Sequence, residues 1–219
     1  SSWGQQSLNF APPELDSDVG EEYELGSAVW EVAQNVGINF GIESDRDVKM
    51  WVPKSRGKSV TLVDGKVVGI VSEHYAVRNA VFIPSYNRAR TGGYLHWGAD
   101  SGDKMVRIIV VRHEQFDDYK RHWGQDCLVL QLPRKMKPSP PESAEVNAED
   151  GQIGFTRRFC QAMAHGLNLQ WIWMVDDNVI FVKALKGAHD GDHADQSQKV
   201  QLTTCSMDYA MQRLEQMVG

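Results

Sequence analysis

The sequence lacks any apolar run near the roughly 18 to 20 residues that a membrane helix needs, which excludes a spanning helix. It has only three cysteines, Cys127, Cys160 and Cys205, far apart and without a C-x-x-C pair. An odd, scattered set fits a reducing compartment better than a disulfide scaffold. Positive charge is not in excess: 23 Lys and Arg stand against 29 Asp and Glu, a net charge of -6. That balance argues against a protein that wraps a nucleic-acid duplex, so DNA is not the expected partner. G-x-S-x-G, Walker A and H-E-x-x-H are all missing, so hydrolase, P-loop NTPase and zincin readings have no support. No internal repeat is evident. The start, Ser-Ser-Trp-Gly-Gln-Gln, has no initiator Met, basic n-region or apolar h-region. No signal peptide is visible there, and the missing Met suggests an excised fragment or a processed chain.

What is present is ordinary globular composition, 42% hydrophobic and 24% charged. A chain of 219 residues suits one large domain, or one domain with a small appendage. Residues 1–24 are polar and acidic, with Pro12-Pro13, and read as a linker or extended arm. Ser27 to Val36 places Val29, Val32, Ala33 and Val36 on one helical face. Lys58–Val63 and Lys66–Ser72 are β-rich runs around Asp64-Gly65, a pair suited to a tight type I′ hairpin turn. Residues 25–78 are therefore expected to form a small accessory helix and β-hairpin layer.

From 79 to 219 the texture changes. Asn79–Ser85, Met105–Arg112, Cys127–Leu132 and Gln170–Asp176 are short, nearly continuous apolar runs of the kind buried on both faces of a parallel sheet. Helical stretches lie between and after them. In 154–167, Phe155, Phe159, Met163 and Leu167 make one buried stripe. In 206–218, Met207, Ala210, Met211, Leu214 and Met217 or Val218 share a face. This order predicts an α/β fold with a mostly parallel sheet flanked by helices. Arg134–Asp150, rich in Pro, Ser and charge, and Lys186–Lys199 read as surface loops, the first a mobile one.

Ligands of open α/β sheets collect beyond the carboxyl ends of the strands. The first apolar run ends Pro84-Ser85-Tyr86-Asn87-Arg88-Ala89-Arg90. Pro84 stops the strand, Arg88 and Arg90 offer forked donors to phosphate, and Tyr86 offers a face to a base. An arginine-rich turn with no ligand is the competing reading. The fourth run ends Asp176-Asp177-Asn178. With an extended backbone Asp176 and Asn178 share one face and Asp177 points away. Such an oxygen pair suits Mg²⁺ or Mn²⁺, whose other ligands would be water and diphosphate. A strand end that caps its own turn is the alternative. Gly151 to Arg158 leads into a helix whose free amides and Arg157 would attract an anion, although a flexible loop end explains the glycines equally well.

Other candidates carry less. His189, Asp190, Asp192, His193 and Asp195 match no metal-site spacing and read as a solvated loop. The basic clusters Lys120-Arg121-His122 and Arg134, Lys135 and Lys137 are too short for a nucleic-acid groove. Cys160 reads as core packing.

In this order, the features resemble the donor half of a GT-A glycosyltransferase. Phe82 to Arg88 resembles the first strand and base-binding turn of that Rossmann-related fold. Gly154 and Arg157, followed by Ala164-His165-Gly166, resemble its next helix, and Trp171 to Asn178 resembles the strand that ends in the D-x-D motif. The nearest group is the TET/JBP-associated glycosyltransferases, and within it the animal branch that binds nuclear receptors. The resemblance covers residues 79–218. It implies a UDP-sugar donor, with UDP-GlcNAc in view, and a divalent cation, Mn²⁺ or Mg²⁺. It also implies a protein Ser/Thr acceptor within a nuclear-receptor coregulator, and a nuclear location with the cytoplasm as a second. Ser85, Tyr86, Asn87 and Arg88 would hold base and ribose and Arg157 would lie near the diphosphate. Asp176 with Asn178 would carry the cation, and Asp176 and Asp177 would be the catalytic carboxylates. Two departures, Asn178 at the last D-x-D position and a tail of only 41 residues after it, keep a scaffold with little or no catalysis as the alternative. Asp190, Asp192 or Asp195 could serve as base, and nothing selects one.

Overall fold

A computed structural model describes residues 19–36, 40–42, 48–73, 75–91, 105–138, 146–147, 153–179, 182–185 and 202–218. The elements before the change of texture are β1 (Gly20–Glu24), α1 (Ser27–Val36), β2 (Phe40–Ile42), β3 (Lys49–Pro53), β4 (Val60–Val63) and β5 (Lys66–Ile70). Then come β6 (Val81–Pro84), β7 (Arg107–Val111), α2 (Phe116–Trp123), β8 (Leu128–Gln131), β9 (Lys135–Pro138), β10 (Val146–Asn147) and α3 (Ile153–Gly166). β11 (Trp173–Met174), β12 (Val182–Leu185), β13 (Leu202–Cys205) and α4 (Met207–Val218) complete the described chain. Among the described residues no helix is long and apolar enough to cross a membrane.

The central sheet has the order β1-β3-β8-β7-β6-β11. β8, β7, β6 and β11 run parallel, as the continuous apolar runs imply, while β3 and β1 add antiparallel strands at one edge. The fold is α/β with a mostly parallel six-stranded sheet, consistent with the GT-A-like class. Alternate residues of each strand feed two cores. Phe82, Ile108, Val110, Leu128 and Leu130 pack with Val29 and Ala33 of α1 and Phe155, Phe159 and Met163 of α3. Ile83, Ile109, Val111 and Val129 pack with Phe116 and Tyr119 of α2 and Met211 of α4. Helices thus cover both faces, and the stripe at Phe155, Phe159, Met163 and Leu167 is buried throughout. Gly166 allows the close approach of α1 and α3, because an added Cβ would lie 2.4 Å from the Val29 carbonyl oxygen. The β4–β5 hairpin forms as expected: Asp64 and Gly65 have φ of 51° and 72°, the left-handed pair a type I′ turn requires.

Four expectations need correction. The last residues of 1–24 form an edge strand of the main sheet, not an arm, because β1 finds its partner in β3. The sheet therefore runs across the expected boundary at 78/79. Within Arg134–Asp150, β9 and β10 are strands rather than loop, joined to β2 in a second, three-stranded sheet. Their pairing is with residues distant in sequence, which local composition does not reveal. The fourth apolar run shrinks to two strand residues at the sheet edge, where Trp171 remains exposed. In α4 only the first part of the stripe is covered, and Leu214, Met217 and Val218 are exposed. Lys186–Lys199 lies outside the described residues, as do residues 1–18.

Candidate functional site

Numbered along the chain, the parallel strands lie in the order third, second, first, fourth (β8-β7-β6-β11). Between β6 and β11 the direction of winding reverses. At such a switch point the connections leave to opposite sides and a crevice opens beyond the carboxyl ends. The two polar strand ends singled out from the sequence, Ser85–Arg88 and Asp176–Asn178, follow these two strands. Adjacent strands lie about 5 Å apart, so the fold brings the two segments together.

They are bonded to each other. Ser85 Oγ donates to Asp177 Oδ2 at 2.9 Å, and Arg88 Nη1 donates to Asp177 Oδ1 at 3.1 Å. Tyr119 of α2 joins them: its hydroxyl lies 2.6 Å from Ser85 Oγ and accepts from the Arg88 backbone N–H at 2.9 Å. The proton directions follow from valence. A carboxylate only accepts, so the single Ser85 proton goes to Asp177, and the Tyr119 proton must go to Ser85. Arg88 therefore starts and closes a ring of four bonds. Burial pushes the Tyr119 phenol above its ordinary range, although the Arg88 amide pulls the other way.

The rest of the turn is held by α2 and the 3-10 turn before it, His113–Gln115. Gln115 and Asn87 exchange bonds, Asn87 N–H to Gln115 Oε1 and Gln115 Nε2 to Asn87 Oδ1. Asn87 has φ of 56°, a left-handed conformation that Asn tolerates in turns. Trp123 Nε1 donates to the Ala89 carbonyl at 2.9 Å. Tyr86 is half exposed, with the Arg112 guanidinium 4.3 Å from its ring centroid. Arg90 turns away toward Asp118.

Asp176 pairs with Arg157 of α3, Nη2 to Oδ1 at 2.6 Å. Both side chains are nearly half exposed, 46% and 44%. The expected alternation fails here. β11 stops at Met174, and Asp176–Val179 is a turn closed by Val179 N–H to the Asp176 carbonyl. Asp177, instead of pointing away from the crevice, is directed at Ser85 and Arg88. Gly154 opens α3 with open space around it, so no packing contact demands a glycine there.

Among the described residues no three His, Cys, Asp or Glu side chains come together. A cation that is itself held by a diphosphate needs only one or two protein oxygens. The half-exposed Asp176 carboxylate and the exposed Asn178 amide could meet that need. Both Asp177 oxygens are engaged, so it is a poorer candidate. Of the other sequence candidates, Cys160 and Lys120 are described and neither is bonded to this ring. His189, Asp190, Asp192, His193 and Asp195 lie outside the described residues. Cys160 is fully buried, and burial pushes its thiol well above the ordinary range, as core packing requires. Lys120 is tied to Glu22 and Asp117.

Sequence reasoning missed Tyr119, Gln115 and Arg112. A usable signal existed for the first. Tyr119 falls three residues after Phe116 on the apolar face of a short helix, and a buried phenol needs a hydrogen-bond partner.

The family model described as TET-Associated Glycosyltransferase matches residues 79–217, more than half of the chain. No curated protein and no solved structure matches.

Proposed function

The chain belongs to the TET-associated glycosyltransferase family, and from that premise we propose that the crevice between β6 and β11 binds a UDP-sugar for transfer to a protein Ser or Thr hydroxyl. UDP-GlcNAc is the donor to test first. The observation that carries this reading is the ring in which Asp177 ties Ser85 and Arg88 across the switch point. It pre-positions a turn whose side chains would face base and ribose, with Tyr86 and Asn87 at its rim.

The charges suit an exchange of partners. Arg88 and Arg157 are 45% and 46% exposed and each rests on an aspartate, so either guanidinium can turn to a diphosphate without leaving the core. Asp176, released from Arg157, would face a Mn²⁺ or Mg²⁺ ion together with Asn178. When bound, such an ion supplies positive charge against the departing nucleoside diphosphate. Asp177 keeps Ser85 oriented. A protein acceptor, a nuclear receptor first among those to test, and a nuclear location with the cytoplasm as a second belong to the same proposal.

Calorimetric titration of UDP and UDP-GlcNAc, with and without Mn²⁺, tests it. Binding that Mn²⁺ strengthens and that Asp176→Ala abolishes supports the site. Absence of binding for every UDP-sugar at millimolar concentration overturns it. A second reading, donor binding with little turnover in a receptor-binding scaffold, is favoured by one feature: both aspartates are already paired with arginine, so neither carboxylate stands free for an acceptor hydroxyl. Release of UDP in the presence of acceptor peptide separates the two.

A further inference from the structure

A second cavity, of about 360 Å³, opens on the same edge of the sheet, two strands from the crevice. It lies where β7 and β8 end and β3 begins, with His113, Gln131 and Lys49 on its wall and Glu24, Asp117 and Arg134 around it. Gln131 stands out. It is the last residue of β8 and only 5% exposed, and its carboxamide makes no hydrogen bond among the described residues. Its polar atoms are left open to the cavity, a space large enough for a ligand with complementary groups. Its two ends, an N–H₂ donor beside a carbonyl acceptor, match a group with the reverse order.

We propose that this cavity docks a main-chain segment of a peptide, held by Gln131 through paired hydrogen bonds, Nε2–H to a peptide carbonyl and a peptide N–H to Oε1. A peptide fits better than a nucleobase. Base binding relies on an open aromatic face; of the two rings among the described lining residues, Phe116 is 2% exposed, and His113 is 32% exposed with its Nδ1 held 2.9 Å from Glu114 Oε2. Ammonium groups of Lys49 and Lys120 also lie over the Phe116 ring, 5.2 and 5.6 Å from its centroid. The rim carries both signs, with Lys49 already paired to Glu22 and Lys120 to Glu22 and Asp117. A neutral backbone flanked by charged side chains of either sign suits this rim, whereas the carboxylates would repel phosphate. The inference does not depend on sugar transfer, because peptide docking would serve an acceptor or a scaffold partner alike.

Nuclear magnetic resonance on the full chain tests it, with the Gln131 side-chain N–H₂ signals assigned by their loss in Gln131→Met. The probe is the blocked, uncharged peptide acetyl-Gly-Ser-Thr-Gly-amide, with uridine as the second arm, each to about 10 mM, the range for a contact of a few kcal/mol. The peptide is expected to shift these signals saturably and uridine is not. Gln131→Met is expected to leave Tm unchanged or raised while removing peptide binding, since the amide makes no hydrogen bond among the described residues. If that variant does not fold, Gln131→Glu assigns the same signals. Movement with uridine alone, movement with neither probe, or a lowered Tm for a folded Gln131→Met each overturns the proposal.

Discussion

The molecule ties β6 to β11 twice, at opposite ends, each time with a carboxylate. At the amino ends, Glu215 of α4 accepts from the Arg78 and Asn79 amides, Asn79 Nδ2 and Trp173 Nε1, at 2.8–3.0 Å. At the carboxyl ends, Asp177 accepts from Ser85 and Arg88, and Asp176 from Arg157. Glu215 is gripped by neutral donors of the backbone and core, none of which can leave without an orphaned group. The aspartates are paired with long, half-exposed arginines that can leave for another anion. The first cluster is built to fasten, the second to exchange.

Breaking the fastener is expected to have the largest effect on stability. Glu215→Ala orphans four donors and should lower unfolding free energy by about 3 kcal/mol, since bonds to a charged group contribute about 1.5–3 kcal/mol each before water returns to exposed donors. Urea denaturation measures this, and nucleotide affinity should hold. Burial raises the Glu215 pKa, but the Asn79, Arg78 and Trp173 donors outweigh it and set it below the ordinary glutamate value. Its contribution is therefore complete above the unfolded pKa and lost as pH falls through the folded one. The acid limb of the stability–pH curve should flatten in Glu215→Gln.

The exchange cluster should answer the other way. Asp177→Ala removes two bonds of the ring and should cost about 2 kcal/mol of stability, with nucleotide affinity falling about tenfold as the turn loosens. Tyr119→Phe keeps the ring volume but leaves the Arg88 N–H and Ser85 hydroxyl short of a partner, for about 1 kcal/mol. Because the Tyr119 pKa is raised, its contribution is present below the unfolded value, about 10, and is lost as pH rises through the folded one. Tyr119→Phe should therefore lose less stability than the parent protein in alkaline melts. Arg157→Gln should be smallest for the fold, under about 0.5 kcal/mol for a half-exposed pair, while still weakening UDP binding about fivefold if that side chain meets phosphate. A large Tm loss in Arg157→Gln would erase the distinction between the clusters.

Much of the candidate site's layout is legible in the sequence. Pro84 ends a strand by chemistry alone, and polar groups after two apolar runs had to gather where such strands end. The pairing of Asp177 was not legible. An extended backbone past Met174 would point Asp177 away, and only the turn closed on Asp176 rotates it inward. Tyr119, Gln115 and Arg112 were hidden for a related reason. They come from the segment after β7, and nothing local says which turn that segment will meet. Glu215 was equally invisible: its four donors come from residues 78, 79 and 173, brought to α4 by the sheet.

The amino-acid sequence by itself determined the period of each element, the Asp64-Gly65 turn, the parallel character of the apolar strands and the residue types at their ends. These follow from local sterics and from burial on one face or two. The tertiary structure alone decided the partners: β1 with β3, β9 with β2, and Asp177 rather than Asp176 against Ser85. Such choices depend on which distant segments arrive at the same edge. That is settled by the packing of two cores on one sheet, and a short stretch of sequence carries no record of it.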